Sequence, residues 1–109
     1  MKINLVKWAN ILIRVEKDKE MKKAFYKFYE KLKEVDWRNP NDVLETFNSA
    51  DILKCENGNR IVFNVGGNKY RLICGYHFGK AYTQLFVKFI GTHKEYDLID
   101  ACEVNNFKR

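Results

Sequence analysis

From Arg60 to Gly91 the chain alternates between apolar and polar residues in three successive runs, a pattern that fits a β-meander and little else. In Arg60–Val65, the residues Ile61, Phe63 and Val65 share one parity, and Arg60, Val62 and Asn64 share the other. In Tyr70–Phe78, Tyr70, Leu72, Cys74 and Tyr76 alternate with Arg71, Ile73, Gly75 and His77. In Tyr82–Gly91, Leu85, Val87 and Phe89 alternate with Gln84, Phe86 and Lys88. Gly66-Gly67-Asn68 supplies the positive φ angles of a tight hairpin, and Gly79-Lys80 turns the chain again. With the apolar parities all facing one layer, Arg60, Arg71 and Lys88 meet on an open face with Asn64, Gln84 and His77. No acidic residue joins them there.

The first half of the chain supplies the covering layer. Leu5, Trp8, Leu12 and Val15 repeat at helical spacing, and Lys17-Asp18-Lys19 breaks that pattern. Met21, Ala24, Phe25, Phe28, Leu32 and Val35 then form one stripe, which predicts a helix from Met21 to about Asp36. Its other face carries Lys23, Lys27 and Lys31, either a solvated row or a contact for a polyanion. Asn39 can cap a third helix whose first position suits Pro40, because the missing N–H would have no intrahelical partner. Val43, Leu44 and Phe47 form its buried side, and Ser49-Ala50-Asp51 ends it. Ile52–Cys55 reads as a short strand before a turn at Glu56–Asn59, and Met1–Asn4 as a candidate edge strand. The expectation is one α+β domain over residues 1–109, with N-terminal helices on one face of a small antiparallel sheet and a short helix after the last long strand.

Charge narrows the partners. Twenty basic residues against 14 acidic give a net charge of +6 and a pI near 9.2, which favours a polyanion, RNA phosphate being the best match. A basic protein without such a partner is the plainer alternative. Lys7 and Arg14 flank the apolar run Ile11-Leu12-Ile13 and no small-residue cleavage site follows, so neither a secretory signal nor a membrane span is expected. Cys55, Cys74 and Cys102 are odd in number and form no C-x-x-C pair, which argues against a zinc site. Three unpaired thiols fit a reducing cytoplasm, with Cys74 a small core hydrophobe. No P-loop, no G-x-G-x-x-G and no helix-turn-helix pattern is present, so no cofactor and no direct reading of DNA are expected.

Thr92-His93-Lys94-Glu95 has the form of a capping box. It places His93 and Lys94 in a first helical turn, where free N–H groups favour an anion. His93, Tyr96 and Asp97 share one helical face, so Asp97 can orient the imidazole. A solvent-exposed histidine with no such role fits the same spacing.

Taken together, Asp36-Trp37-Arg38-Asn39-Pro40, Val62-Phe63-Asn64-Val65, Gly67-Asn68-Lys69-Tyr70-Arg71-Leu72-Ile73 and Thr92-His93-Lys94-Glu95-Tyr96-Asp97 resemble the HigB toxins of bacterial type II toxin–antitoxin modules. The hallmark reads FN-x-x-GN-x-YRLI followed by a TH-x-EYD helix start, and the resemblance spans nearly the whole chain. It implies a RelE-like fold and an mRNA interferase acting in the ribosomal A site. It also implies a HigA-like antitoxin with a helix-turn-helix domain, through which alone the pair would meet DNA. The family's motif falls on Arg60, Asn64, Asn68, Arg71, Thr92, His93 and Tyr96.

The residues fit metal-independent transesterification, in which the ribose 2′-OH attacks its own 3′-phosphate to give a cyclic phosphate and a 5′-OH. Arg71 would hold the phosphorane because a guanidinium binds two oxygens at once. His93 would serve as base or acid, and Tyr96 would orient the 2′-OH or assist proton transfer. Arg60, Asn64, Asn68, Lys88 and Lys94 would bind RNA, and Phe86 would stack on a base. A basic face that blocks the ribosome without cutting is the rival reading.

Overall fold

The computed structural model describes residues 2–106. Met1 and residues 107–109, part of the domain expected over 1–109, lie outside that range. The elements run β1 (Lys2–Val6), α1 (Trp8–Val15), α2 (Lys19–Leu32), α3 (Pro40–Thr46), β2 (Asp51–Leu53), β3 (Arg60–Val65), β4 (Tyr70–Phe78), β5 (Tyr82–Thr92) and α4 (His93–Tyr96). The five strands form one sheet in the order β1-β5-β4-β3-β2. No helix among the described residues is long and apolar enough to cross a membrane.

The meander forms as its alternation predicts. Gly66 and Gly67 take φ values of 65° and 70°, a region closed to most side chains, and the loop aligns Val65 with Tyr70. The sheet is mixed rather than wholly antiparallel, because β1 joins the edge of β5 in parallel, with Leu5 opposite Leu85. Leu5 therefore belongs to a strand and not to the first helix. Lys7, at φ 72°, turns the chain from strand into helix.

The helices cover one face of the sheet. Met21, Phe25, Phe28 and Leu32 of α2 are buried against Phe63, Leu72, Cys74, Leu85 and Val87. Asp18 accepts from the backbone N–H of Met21 at 3.0 Å and starts α2. The helix stops at Leu32, four residues short of the predicted end, and the chain then delivers Trp37 to the core. There the indole lies parallel to the Phe63 ring at 6.2 Å, and its N–H donates to Thr46 Oγ1 at 2.9 Å. Asn39 and Pro40 open α3 as read, with Asn39 Oδ1 accepting from the Asp42 N–H. Val43 is buried but Leu44 is exposed, and α3 ends at Thr46, ahead of Ser49.

A bulge changes the other face. Cys74 pairs with Val87 and Ile73 with Phe89, so Lys88 is left without a partner across the ladder. Phe89 thereby leaves the parity of Leu85 and Val87 and joins Val62 and Ile73 on the far side. Tyr96, Ile99, Ala101 and Val104 pack on this second cluster. The face expected to be open is thus covered across its middle by the segment after α4, residues 97–106. Arg60 clamps this strap by donating from Nη1 to the carbonyls of Ala101 and Val104, and the Asn106 N–H donates to Lys88 O.

The strap also corrects the cysteine reading. Cys55 and Cys102, 47 residues apart, come together with Cα atoms 5.5 Å apart and form a disulfide. Among the described residues Cys74 is the free cysteine, and its complete burial pushes the thiol pKa far up, as suits a core residue. Phe63 is wedged between Trp37, Phe28 and Phe47. Truncation to Phe63→Ala should cost about 3–5 kcal/mol of folding free energy, read from urea unfolding midpoints, whereas the exposed Leu44→Ala should stay within about 0.5 kcal/mol.

Candidate active site

Arg71 sits in mid-sheet, opposite Asn64 of β3 and Gly91 of β5. It is a cation only 7% exposed, so its position has to be compensated. The hairpin before it provides that. Nη2 donates to Asn68 Oδ1 at 2.7 Å, and Nη1 donates to the carbonyls of Asn68 and Tyr70 at 3.3 and 3.1 Å. The Tyr96 ring lies over the guanidinium, 5.6 Å from carbon to centroid, within cation–π range. These contacts engage three of the five N–H donors and fix the plane of the group.

The one-turn helix α4 brings the other groups. Thr92 Oγ1 accepts from the Glu95 N–H at 3.1 Å, and Glu95 Oε1 accepts from the Thr92 N–H at 2.8 Å, so the predicted capping box is complete. Arg14 of α1 donates to the same Glu95 oxygen at 2.8 Å. The bond from the Thr92 N–H holds the Glu95 carboxyl below the ordinary glutamate range; burial opposes it, and Arg14 adds to the lowering. Gly91 lets α4 fold back so tightly, since a Cβ there would come within 2.8 Å of the Phe89 ring and 3.2 Å of Glu95 Cβ. The His93 N–H donates to Lys69 O at 2.9 Å and ties α4 to the hairpin. His93 Nδ1 lies 3.6 Å from Asp97 Oδ1, on the shared face that the spacing predicts.

The helix N-terminus has few N–H groups left over for an anion. Its Thr92, His93 and Glu95 N–H groups all donate within the protein, and a single turn carries little dipole. Attraction for an anion rests on side chains.

Four of the predicted residues come together: Asn68, Arg71, His93 and Tyr96 surround the junction of hairpin and α4. Lys94 is exposed on the same short helix. Asn64 is half-buried and donates from Nδ2 to Ser49 O at 3.1 Å. Arg60 and Lys88 belong elsewhere. They flank Gly75, four residues further along β4 and so about 13 Å from Arg71. Arg60 is 8% exposed, and desolvation lowers its pKa against the pull of Glu103 and Asp100. Those two carboxylates come from the strap, so the face is not free of acids as expected. Among the described residues, no three His, Cys, Asp or Glu side chains are grouped to hold a metal ion.

The strap, Asp97 beside His93, and the bond from Lys69 to Glu20 at the start of α2 all complete the site's surroundings. One signal for the strap was present. Val62, Ile73 and Phe86 lie on the supposedly open parity, and a solvated face would not carry apolar residues in central strands.

Glu95 gives a pH test. A carboxyl whose pKa is depressed by folding contributes stability above its unfolded value and loses it as pH falls through the folded one. The Glu95→Gln variant should therefore unfold at lower urea than the parent at neutral pH, and the gap should narrow toward about pH 3. An unchanged gap would show that the carboxylate charge does not hold α4.

Two comparisons bear on this geometry. The HigB toxin family, described as the RelE-like toxic component of a toxin–antitoxin system, matches residues 21–99. The mRNA interferase HigB of Escherichia coli O6:H1 is 35% identical over 74 residues, which cover 68% of this chain and 69% of that protein.

Proposed function

Because the chain belongs to the HigB family of RelE-like toxins, we propose that it cuts mRNA by metal-independent transesterification, on translating ribosomes, at the cluster of Arg71, His93 and Tyr96. The observation that carries this reading is the buried Arg71, held by Asn68 and the Tyr96 ring, with the His93–Asp97 pair at the same short helix as Tyr96. A guanidinium fixed in advance pays no reorganisation cost when charge develops on the phosphorane. Its two remaining donors are the groups that would bind the two phosphate oxygens that gain charge.

His93 moves the proton. With Asp97 orienting Nδ1, Nε2 takes the proton of the ribose 2′-OH as that oxygen attacks phosphorus. The bond to the 5′ oxygen breaks, that oxygen takes a proton from water to leave as a 5′-OH, and His93 returns its proton to the resulting hydroxide. Tyr96 touches Arg71 and aligns the 2′-OH. Lys94, exposed on α4, holds the neighbouring backbone phosphate, and Lys88 a phosphate further along the strand. Asn68 acts through Arg71, Asn64 through the loop at Ser49, and Arg60 through the strap, so these three position the binding surface. The neutralising partner is a HigA-like helix-turn-helix antitoxin, and contact with DNA runs through it. Action on ribosomes in the A site places the toxin in the cytoplasm.

Primer extension on a defined mRNA, with and without ribosomes, tests the reading. New ends inside codons should appear with the parent protein only in the translated sample. They should fall about 10²–10⁴-fold in rate for His93→Ala and about 10²–10³-fold for Arg71→Lys, which keeps the charge but loses the fork. Circular dichroism would confirm that both variants fold. Arrest with intact mRNA would instead establish a non-cleaving ribosome blocker.

A further inference from the structure

Beyond the catalytic cluster, the strap and the sheet border an open cavity of about 400 Å³. Its floor is Gly75, where the missing side chain leaves room beneath Lys88 and Phe86. A strand glycine commonly marks a place where another group approaches closely. The β2–β3 turn contributes Asn57 and Asn59, and the strap contributes Glu103 and Asn105. The volume falls in the range of small-molecule sites.

The wall chemistry is uneven. Asn59 Oδ1 accepts from the Cys55 N–H at 3.2 Å, which fixes that amide and leaves its Nδ2 as donor. Asn105 Oδ1 is closed off from solvent without a hydrogen-bond partner among the described residues. Glu103 adds a second acceptor, Lys88 a cation and Phe86 an aromatic surface. An aromatic surface beside amide groups is how proteins read an unstacked RNA base by its edge. The unpartnered Asn105 Oδ1 and the Glu103 carboxylate are acceptors that match an exocyclic amine, a group uracil lacks.

We propose that this cavity holds one unstacked base of the substrate, an adenine, cytosine or guanine, at a nucleotide beside the cleaved bond, and that it sets the sequence preference of cutting. The proposal rests on the nuclease reading above and names the specificity device of that enzyme. The base lies against Phe86 with its edge toward Asn59, Glu103 and Asn105, while Lys88 meets its phosphate. The strap forms one wall, so the disulfide between Cys55 and Cys102 and the clamp at Arg60 keep the cavity shaped.

Sequencing of cut sites across an mRNA pool during translation provides the test. The parent protein should favour amine-bearing bases at one fixed position relative to the cut. That preference should fall about tenfold or more in Phe86→Ala, in Asn59→Ala and in Gly75→Leu, which fills the cavity without touching Arg71. Cutting with equal preference at that position in parent and variants, or a uracil preference in the parent, would overturn the proposal. Should the parent cut nothing, the nuclease reading fails separately, and nucleoside 5′-monophosphates titrated against the labelled protein decide the pocket. Amide shifts at Asn59 and Asn105 for the amine-bearing bases over uridine monophosphate would sustain it. No shift would end it.

Discussion

Lys88 has no partner across the ladder, and the second layer of the protein follows from that. Removing one residue from the pairing rotates Phe89 to the far side, where it meets Val62 and Ile73. Three apolar side chains in the centre of a sheet cannot be left in water without cost, and the segment after α4 covers them. Were the register unbroken, Phe89 would point at the helices and the strap would have little to dock on.

Covering that face divides the basic residues. Arg60 lies under the strap and satisfies two of its carbonyls, while Arg71 lies at the strap's beginning, under Tyr96. Both guanidinium groups are nearly buried, and a buried cation is tolerated only with well-placed acceptors. For Arg71 those acceptors belong to one hairpin, and the Tyr96 ring lies over the guanidinium. For Arg60 they belong to the strap, and the guanidinium holds shape. The same residue type on the same face thus has two tasks, decided by what packs above it.

The meander, the α2 stripe, the Asn39-Pro40 helix start and the Thr92–Glu95 capping box were legible because each depends on neighbours within a few residues. The family motif was legible too, and four of its residues, Asn68, Arg71, His93 and Tyr96, fall at the junction of the hairpin and α4. Strict alternation failed at Phe89, because a bulge leaves no local signal stronger than three large residues in a row. The helix prediction ran past Leu32 because Val35 continues the period, although the chain must turn there to bury Trp37.

Local sequence was enough for the fold class and the surplus of positive charge. Tertiary structure alone decided which cations stay near solvent, where the strap lies, and that Cys55 meets Cys102. The reason is physical: periodicity records which side of its own element a residue occupies, whereas burial of a charge or a thiol depends on segments distant in the chain. The strap has no repeating pattern of its own and takes its place only from the surface that the bulge creates.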